Sequence, residues 1–360
     1  MKIFDEEINK KEVLQKIGDI SQLCEIKYYE SIDGMSRGVR GIDIRNAEGI
    51  NITILPDRGM DISHLSYKSI PFNWKSPTKE TSPIYFEGRG TEWLRTFYGG
   101  FLTTCGLTTT GAPSVDKGED LPLHGRIANI AAENVSVDGK WQAGNYAVLA
   151  KGKVREAKVF GDKLLLERKI YAWMDEPRIV LEDSVENIGH QTSPFMILYH
   201  INIGYPILNK NSELLEGTAK IIPHDKEAEK GLEDFNKFSN PIKGFKEQCY
   251  FHDIEADRTG YSNLAFVNKK FLDGQGIGIW LRFKKDSLPY LTQWKQMGMG
   301  EYVCGIEPCN NLGKGRKKER EEGRLRILEP GEKINLRLEF KILRSNKEIS
   351  VFENHIENNK

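Results

Sequence analysis

Trp141–Trp173 reads WQAGNYAVLAKGKVREAKVFGDKLLLERKIYAW, and this stretch decides the fold class. Its second half, KVFGDKLLLERKIYAW, sets a Gly-Asp turn at 161–162 between two runs that alternate apolar and polar residues. That is a hairpin pattern, in which successive side chains point to opposite faces of a sheet. The pattern then repeats outward in both directions. GVRGIDIRN, INITILPD and PFNWKS precede it, and RIVLEDSVENIG, GIGIWLRF, LPYLTQWKQ, YVCGIEP and NLRLEFKIL follow. Short strands with turns between them, and few competing helical windows, predict one large all-β sandwich. The 34 glycines suit such a turn-rich chain.

The exceptions lie at the ends and in two polar stretches. EEINKKEVLQKIG (6–18) has Ile8, Val13, Leu14 and Ile17 at helical spacing and predicts a short N-terminal helix. Residues 217–256 are polar and less regular, which suggests a connection with a short helix or two. GKGRKKEREEGR (313–324) reads as a solvated charged loop. The expected organisation is an N-terminal helical and extended segment over 1–34, one β-sandwich domain over 35–345, and a polar C-terminal tail over 346–360.

Lys+Arg and Asp+Glu number 52 each in 360 residues, so the formal net charge is zero. Long-range electrostatics then favours neither nucleic acid nor an acidic membrane surface as partner. The N-terminus lacks the apolar core of a secretory signal, and no run of about 18 apolar residues could span a bilayer. Cys24, Cys105, Cys249, Cys304 and Cys309 are odd in number and widely spaced, as free thiols in a reducing cytosol would be. A cytoplasmic location is the expectation; the sequence is silent on oligomeric state.

Three separated stretches carry chemistry-bearing residues. In MILYHINIGYP (196–206), strand parity sends Ile197, Tyr199, Ile201 and Ile203 one way and Leu198, His200 and Asn202 the other. In YVCGIEP, Val303, Gly305 and Glu307 share a face, and Pro308 keeps Glu307 in extended backbone. In LPLHGRI (121–127), His124 and Arg126 share a parity if the stretch is extended, although a histidine here also suits a purely structural role. Upstream, WLRTFYGGFLTTCGL places Arg95 and Phe97 together, and an arginine among Trp, Leu and Phe suggests a partly dry pocket. In LPYLTQW, Gln293 and Trp294 lie on opposite faces. LPDRGMDI sets Arg58 between Asp57 and Asp61, which reads as a structural salt-bridge and turn network.

Taken in order, LPDRGMDI, FNWKSP, WLRTFYGGFLTTCGL, LHGRIAN, LYHINIGYP, LTQWK and GIEPCNN resemble the aldose 1-epimerase (galactose mutarotase-like) superfamily, in a divergent bacterial branch, over roughly residues 35–343. The resemblance implies a β-supersandwich with a sugar site on the concave face of a large antiparallel sheet. It further implies Glu307 as general base, His200 as general acid and His124 as an assisting group, with Arg95 binding hydroxyls. Two departures alter the pocket wall: HGR stands for the usual HGG-like form, and YHINIGYP for NHxYFNL. The substrate-binding aspartate of typical members has no evident counterpart.

The residue types suit that chemistry. Opening a cyclic hemiacetal needs a base at the anomeric hydroxyl and an acid at the ring oxygen, with no metal or other cofactor. Trp294 or Phe97 would stack on the sugar, and Gln293, Asn202, Arg95 and Arg126 would bind its hydroxyls. The arginines also admit an acidic or phosphorylated sugar. The expected function is therefore a mutarotase acting on a small-molecule sugar. Rival readings are a non-catalytic carbohydrate-binding module, a lyase on the same scaffold, and an isomerase holding a metal between His124, His200 and Glu307.

Overall fold

The computed structural model describes residues 1–358. Two antiparallel sheets, of twelve and eight strands, dominate it. The alternation in Lys163–Trp173 is realised along its whole length, every second residue being buried. That strand pairs with Asn145–Ala157 through the register Ala157↔Lys163, so the Gly161–Asp162 turn closes the expected hairpin. The smaller sheet runs in the order Glu133–Gln142, Asn145–Ala157, Lys163–Trp173, Arg178–Asn187, Lys333–Leu343, Ile277–Lys284, Tyr261–Asn268 and Ser212–Glu216.

The larger sheet has Ser193–Gly204 near its middle, flanked by Leu102–Leu107 and Tyr302–Cys309. Tyr290–Met297 follows beyond Tyr302–Cys309, then Gln248–Ile254. One face of this sheet packs on the smaller sheet and forms the main core. Ile197, Tyr199, Ile201 and Ile203 all join that core, as parity requires. Phe101, immediately before Leu102–Leu107 of the larger sheet, and Phe340 of the smaller sheet meet edge to face with centroids 5.1 Å apart. Leu198 turns the other way, into a separate aromatic cluster. The all-β class and the sandwich architecture are those expected.

Several boundaries differ from the sequence reading. The helix is confined to Lys10–Lys16, held by an Asn9–Glu12 capping box, and Glu25–Glu30 already pairs with Arg40–Arg45 in the large sheet. The stretch expected as a polar tail forms the helix Asn346–Glu357, which buries Ile349 and Phe352; residues 359 and 360 lie outside the described residues. Its charged residues hide an apolar stripe of three positions, Ile349, Phe352 and Ile356, at i, i+3, i+7 spacing. The charge run is not a solvated loop. It forms the helix Arg316–Glu321, whose buried Arg316 donates to Asp116 at 2.8 Å and to Glu119 at 2.6 Å. The 217–256 stretch is more than a connection: it holds the helix Lys226–Lys230, as expected, but also Ala219–Pro223 and Gln248–Ile254, which pair with each other at one end of the larger sheet. The expected LPDRGMDI ion-pair network is divided among other partners. Asp57 pairs with Arg40, Asp61 with Arg168, and Arg58 donates to the backbone oxygens of Thr81, Thr96 and Ala128. All five cysteines are free. No described helix is long and apolar enough to cross a membrane.

Candidate functional site

The second face of Ser193–Gly204 carries His200. Pairing with Tyr302–Cys309 runs Asn202↔Gly305 and Ile201↔Ile306, so the next step sets His200 opposite Glu307. Their closest atoms, His200 Nε2 and Glu307 Oε1, are 3.3 Å apart, and both side chains are about 95 % or more buried. The contact is close but not aligned as a hydrogen bond. Glu307 Oε1 and His200 Nδ1 have no protein hydrogen-bond partner, and neither does Asn202 Oδ1. Asn202 Nδ2 donates to the backbone oxygens of His200 and Gly99, which aims its side chain along the same face.

Gly305 makes the carboxylate position possible. A Cβ there would lie 2.4 Å from Glu307 Oε1, 3.1 Å from Trp294 Cβ and 3.3 Å from His200 Cε1. Residue 305 shares the face of residue 307, so any side chain would occupy the carboxylate's place.

His124 arrives from a turn rather than an extended strand. Its φ is +58° and that of Gly125 is +77°. Left-handed backbone at a non-glycine residue costs about 1–3 kcal/mol and persists only where surrounding structure enforces it. Here the His124 N–H donates to Gly111 O, and its carbonyl accepts from Gly106 N–H, both at 3.0 Å. Gly125 has no alternative, because a Cβ would sit 2.3 Å from Gly106 O. The His124 ring lies 5.7 Å from that of His200, and its Nδ1 has no protein partner.

Aromatic rings wall this constellation. Phe97 and Trp294 stand 5.0 and 5.5 Å from the His200 ring, and Trp93 stands 4.7 Å from His124. Trp74 bridges Phe97 and Trp294 at 6.1 and 6.3 Å. Burial then sets the proton inventory, since it disfavours whichever form is charged. Burial, reinforced by the Glu247 carboxylate, pushes Glu307 well above the usual carboxylate range. Burial and the neighbouring His124 push His200 well below the usual imidazole range, and burial lowers His124 to about 4. Both shifts run towards the uncharged form of each group, favouring a proton on the Glu307 carboxyl over one on the His200 imidazole.

Other residues singled out in the sequence are spread differently. Arg95 is exposed and pairs with Glu92 on its own turn. Arg126 leaves the His124 parity because the turn is not extended; it stacks over Phe86 and donates to Gly88 O. Gln293 is fully buried on the opposite sheet face, donating to Phe235 O at 2.8 Å and facing His252 at 3.2 Å. Among the described residues no three His, Cys, Asp or Glu side chains are grouped as metal ligands.

Sequence reasoning missed Trp74, Trp93 and Glu247. Trp294 Nε1 donates to Glu247 Oε2 at 2.7 Å, which sets a carboxylate at the rim. Glu247 comes from the irregular 217–256 connection, where no periodicity assigns a face. Trp74 and Trp93 lie within stretches already noted, but the pairing that sets Trp74 beside Gly100 is visible only in the structure.

Residues 36–342 match a family model described as a domain of unknown function, DUF4432. No curated protein matches the sequence. Among solved structures, a candidate aldose 1-epimerase from Klebsiella pneumoniae superposes with a TM-score of 0.89 at 26 % identity, covering 98 % of this chain and 91 % of that one. A galactose mutarotase-like protein from Clostridium acetobutylicum gives 0.64 at 14 % identity, covering 90 % and 99 %. Galactose 1-epimerase from Lactobacillus acidophilus gives 0.52 at 11 % identity, covering 89 % and 99 %. The last two likenesses show the fold alone. The chain thus belongs to the DUF4432 family, built on a galactose mutarotase-like β-sandwich.

Proposed function

We propose that this protein interconverts the anomers of a monosaccharide, with His200 and Glu307 as the proton-transferring pair. One observation carries the reading: an imidazole and a carboxyl 3.3 Å apart, buried, short of protein partners and walled by aromatic rings. Such a pair holds one proton and two basic sites. One group takes the proton of the anomeric hydroxyl while the other protonates the ring oxygen. The C1–ring-oxygen bond breaks, the carbonyl rotates, and the steps reverse on its other face. With Glu307 as base and His200 as acid, the pair starts as carboxylate and imidazolium. With the proton on the carboxyl, His200 is the base and Glu307 the acid. The atoms balance either way. His124 stays neutral and offers a ring nitrogen to a hydroxyl, as does the Asn202 amide oxygen.

Anomer-exchange NMR over aldoses, ketoses and uronates tests this. Wild-type protein should accelerate exchange of at least one sugar, and Glu307→Gln or His200→Asn should lose about 10²–10⁴-fold. No acceleration on any sugar, or an unchanged rate in Glu307→Gln, would refute it. Sugar-dependent thermal stabilisation without exchange would instead identify a binding module.

A further inference from the structure

We infer that the open cavity beside the His124 turn binds a phosphorylated small molecule, with Arg126 as its main anchor. The cavity measures about 1160 Å³, room for an organic ligand rather than a bare ion. Three turns supply its wall: Gly125–Arg126, Lys117–Gly118 and the hairpin end from Phe160 to Lys163. Arg126 is presented there rather than committed. Its guanidinium lies over the Phe86 ring, 5.7 Å from the centroid, and gives one long hydrogen bond of 3.3 Å to Gly88 O. Gly88 permits this placement, because a Cβ there would come within 2.3 Å of Arg126 Nη1. Among the described residues Arg126 has no ion-pair partner, so most of its N–H groups are left for a ligand.

The wall carries acids as well as cations, and what decides is which of them are already engaged. Glu119 is held by Arg316 at 2.6 Å and by Lys158 at 3.2 Å. Asp162 accepts from Ser193 at 2.9 Å and lies 3.9 Å from Arg316. Arg316 is not part of the wall, so it offsets these carboxylates from behind. Glu156 is buried and accepts from Leu107 N–H and Thr108 Oγ1; burial pushes its carboxyl up, towards the neutral form, while those bonds and Arg126 oppose the shift. Asp120 alone stands as an exposed acid without a partner. Against it stand Arg126, Lys117, which makes no hydrogen bond or ion pair among the described residues, and Lys163, which donates only to Gly161 O at 2.9 Å. Three cations from three turns suit a phosphate dianion better than a carboxylate, which one guanidinium satisfies. Val159 and Phe160, both exposed, offer apolar surface to the organic part. The same wall frames the His124 turn: Arg126 N–H donates to Gly106 O, and Gly106 N–H to His124 O, both at 3.0 Å. An anion on Arg126 therefore bears on the backbone that aims His124.

The test is a binding measurement, so it stands apart from the mutarotase reading. Inorganic phosphate, glucose 6-phosphate, adenosine 5′-monophosphate, glucuronate and glucose are titrated into the full chain, followed by amide NMR of the protein. A phosphorylated probe should bind most tightly, shift the amides of Thr108, Gly125 and Gly161, and weaken as salt is raised. Arg126→Gln should weaken it by about 10–100-fold, the worth of a charge-assisted hydrogen bond. Arg126→Lys should fall between, since it keeps the charge and loses the fork. Arg126 is exposed, so neither variant threatens the fold. No binding of any phosphorylated probe at 10 mM would overturn the inference. Glucuronate or glucose binding as tightly as the best phosphate would do so too, as would unchanged affinity in Arg126→Gln. Binding lost in Glu307→Gln but kept in Arg126→Gln would place the anion in the aromatic basin instead, which also refutes it.

Discussion

Tyr199 and His200 are neighbours on one strand, and their two faces treat buried polar groups in opposite ways. On the inner face, Tyr199 Oη donates to Asp183 at 2.7 Å, and fully buried Arg168 spends all its N–H groups on protein acceptors. These are Asp183 at 2.9 and 2.7 Å, Asp61 at 2.6 Å, Thr104 Oγ1 at 2.8 Å and Gly59 O at 3.2 Å. On the outer face His200, Asn202 and Glu307 are almost as buried, yet each leaves a polar atom without a protein partner. Burial alone therefore does not mark a site. A fully bonded buried network fixes structure. Buried groups left short of partners need another explanation, and a ligand supplies one.

The largest effect expected on the inner face is from Arg168→Met, which strands Asp61 and Asp183 beside each other. It should lose about 3–5 kcal/mol of stability, read from the urea unfolding midpoint. A loss under about 1 kcal/mol would mean that the inner face is no better satisfied than the outer. Glu307→Gln probes the other side. It removes an acidic group from a dry site, so stability should hold or rise while anomer exchange falls by about 10²–10⁴-fold. Destabilisation comparable to Arg168→Met would make Glu307 a structural residue and erase the contrast.

Gly305→Ala comes next. The added methyl claims the space of Glu307 Oε1, so the carboxyl must shift. A displacement near 1 Å lowers exchange roughly 100-fold, and overpacking costs about 1–3 kcal/mol. Full activity in this variant would show that the carboxyl's present position is not the working one.

The proton inventory gives the outer face its own pH signature. His124 is held at about 4 against an ordinary 6.5, and His200 is lowered too. Between about 4 and 6.5 the unfolded chain binds protons at these positions that the folded chain does not. Stability contributed by the histidines is complete above 6.5 and is lost as pH falls through that window. Glu307 is raised from 4.5, so its contribution is present below 4.5 and is lost as pH climbs towards its folded value. Thermal unfolding across pH should therefore show His124→Asn flattening the acid limb and Glu307→Gln flattening the alkaline one. Unchanged limbs in both variants would place these groups in water rather than in a dry basin.

How much of this was legible depends on whether period-2 alternation reaches the residue concerned. Strand parity placed Tyr199 inward and His200, Asn202, Gly305 and Glu307 on their shared faces, because side-chain direction in a strand is fixed by count alone. It also put Gln293 opposite Trp294, although only the structure shows that the Gln293 side is the core. Parity failed at LPLHGRI, where positive φ at His124 and Gly125 breaks the alternation and sends Arg126 elsewhere. Partners distant in sequence were not legible. Arg168 stood at an inward position of an alternating strand, a visible anomaly, but Asp61 and Asp183 could be assigned to it only by the packing of two sheets. Glu247 had no local pattern at all.

Tyr199→Phe sharpens the comparison most finely, because it alters the inner face one residue from His200. Asp183 Oδ2 loses one donor but keeps Arg168, so no charge is stranded. The expected loss is about 1 kcal/mol, that of one hydrogen bond. The backbone that aims His200 is held from both sides by pairing with Leu102–Leu107 and Tyr302–Cys309, independently of the phenol. Anomer exchange should therefore stay within about threefold of wild type, far inside the range of a lost acid or base. A larger fall in kcat with KM unchanged would show that the phenol–carboxylate contact positions His200 through the strand. The two faces would then be parts of one device rather than a scaffold and a site.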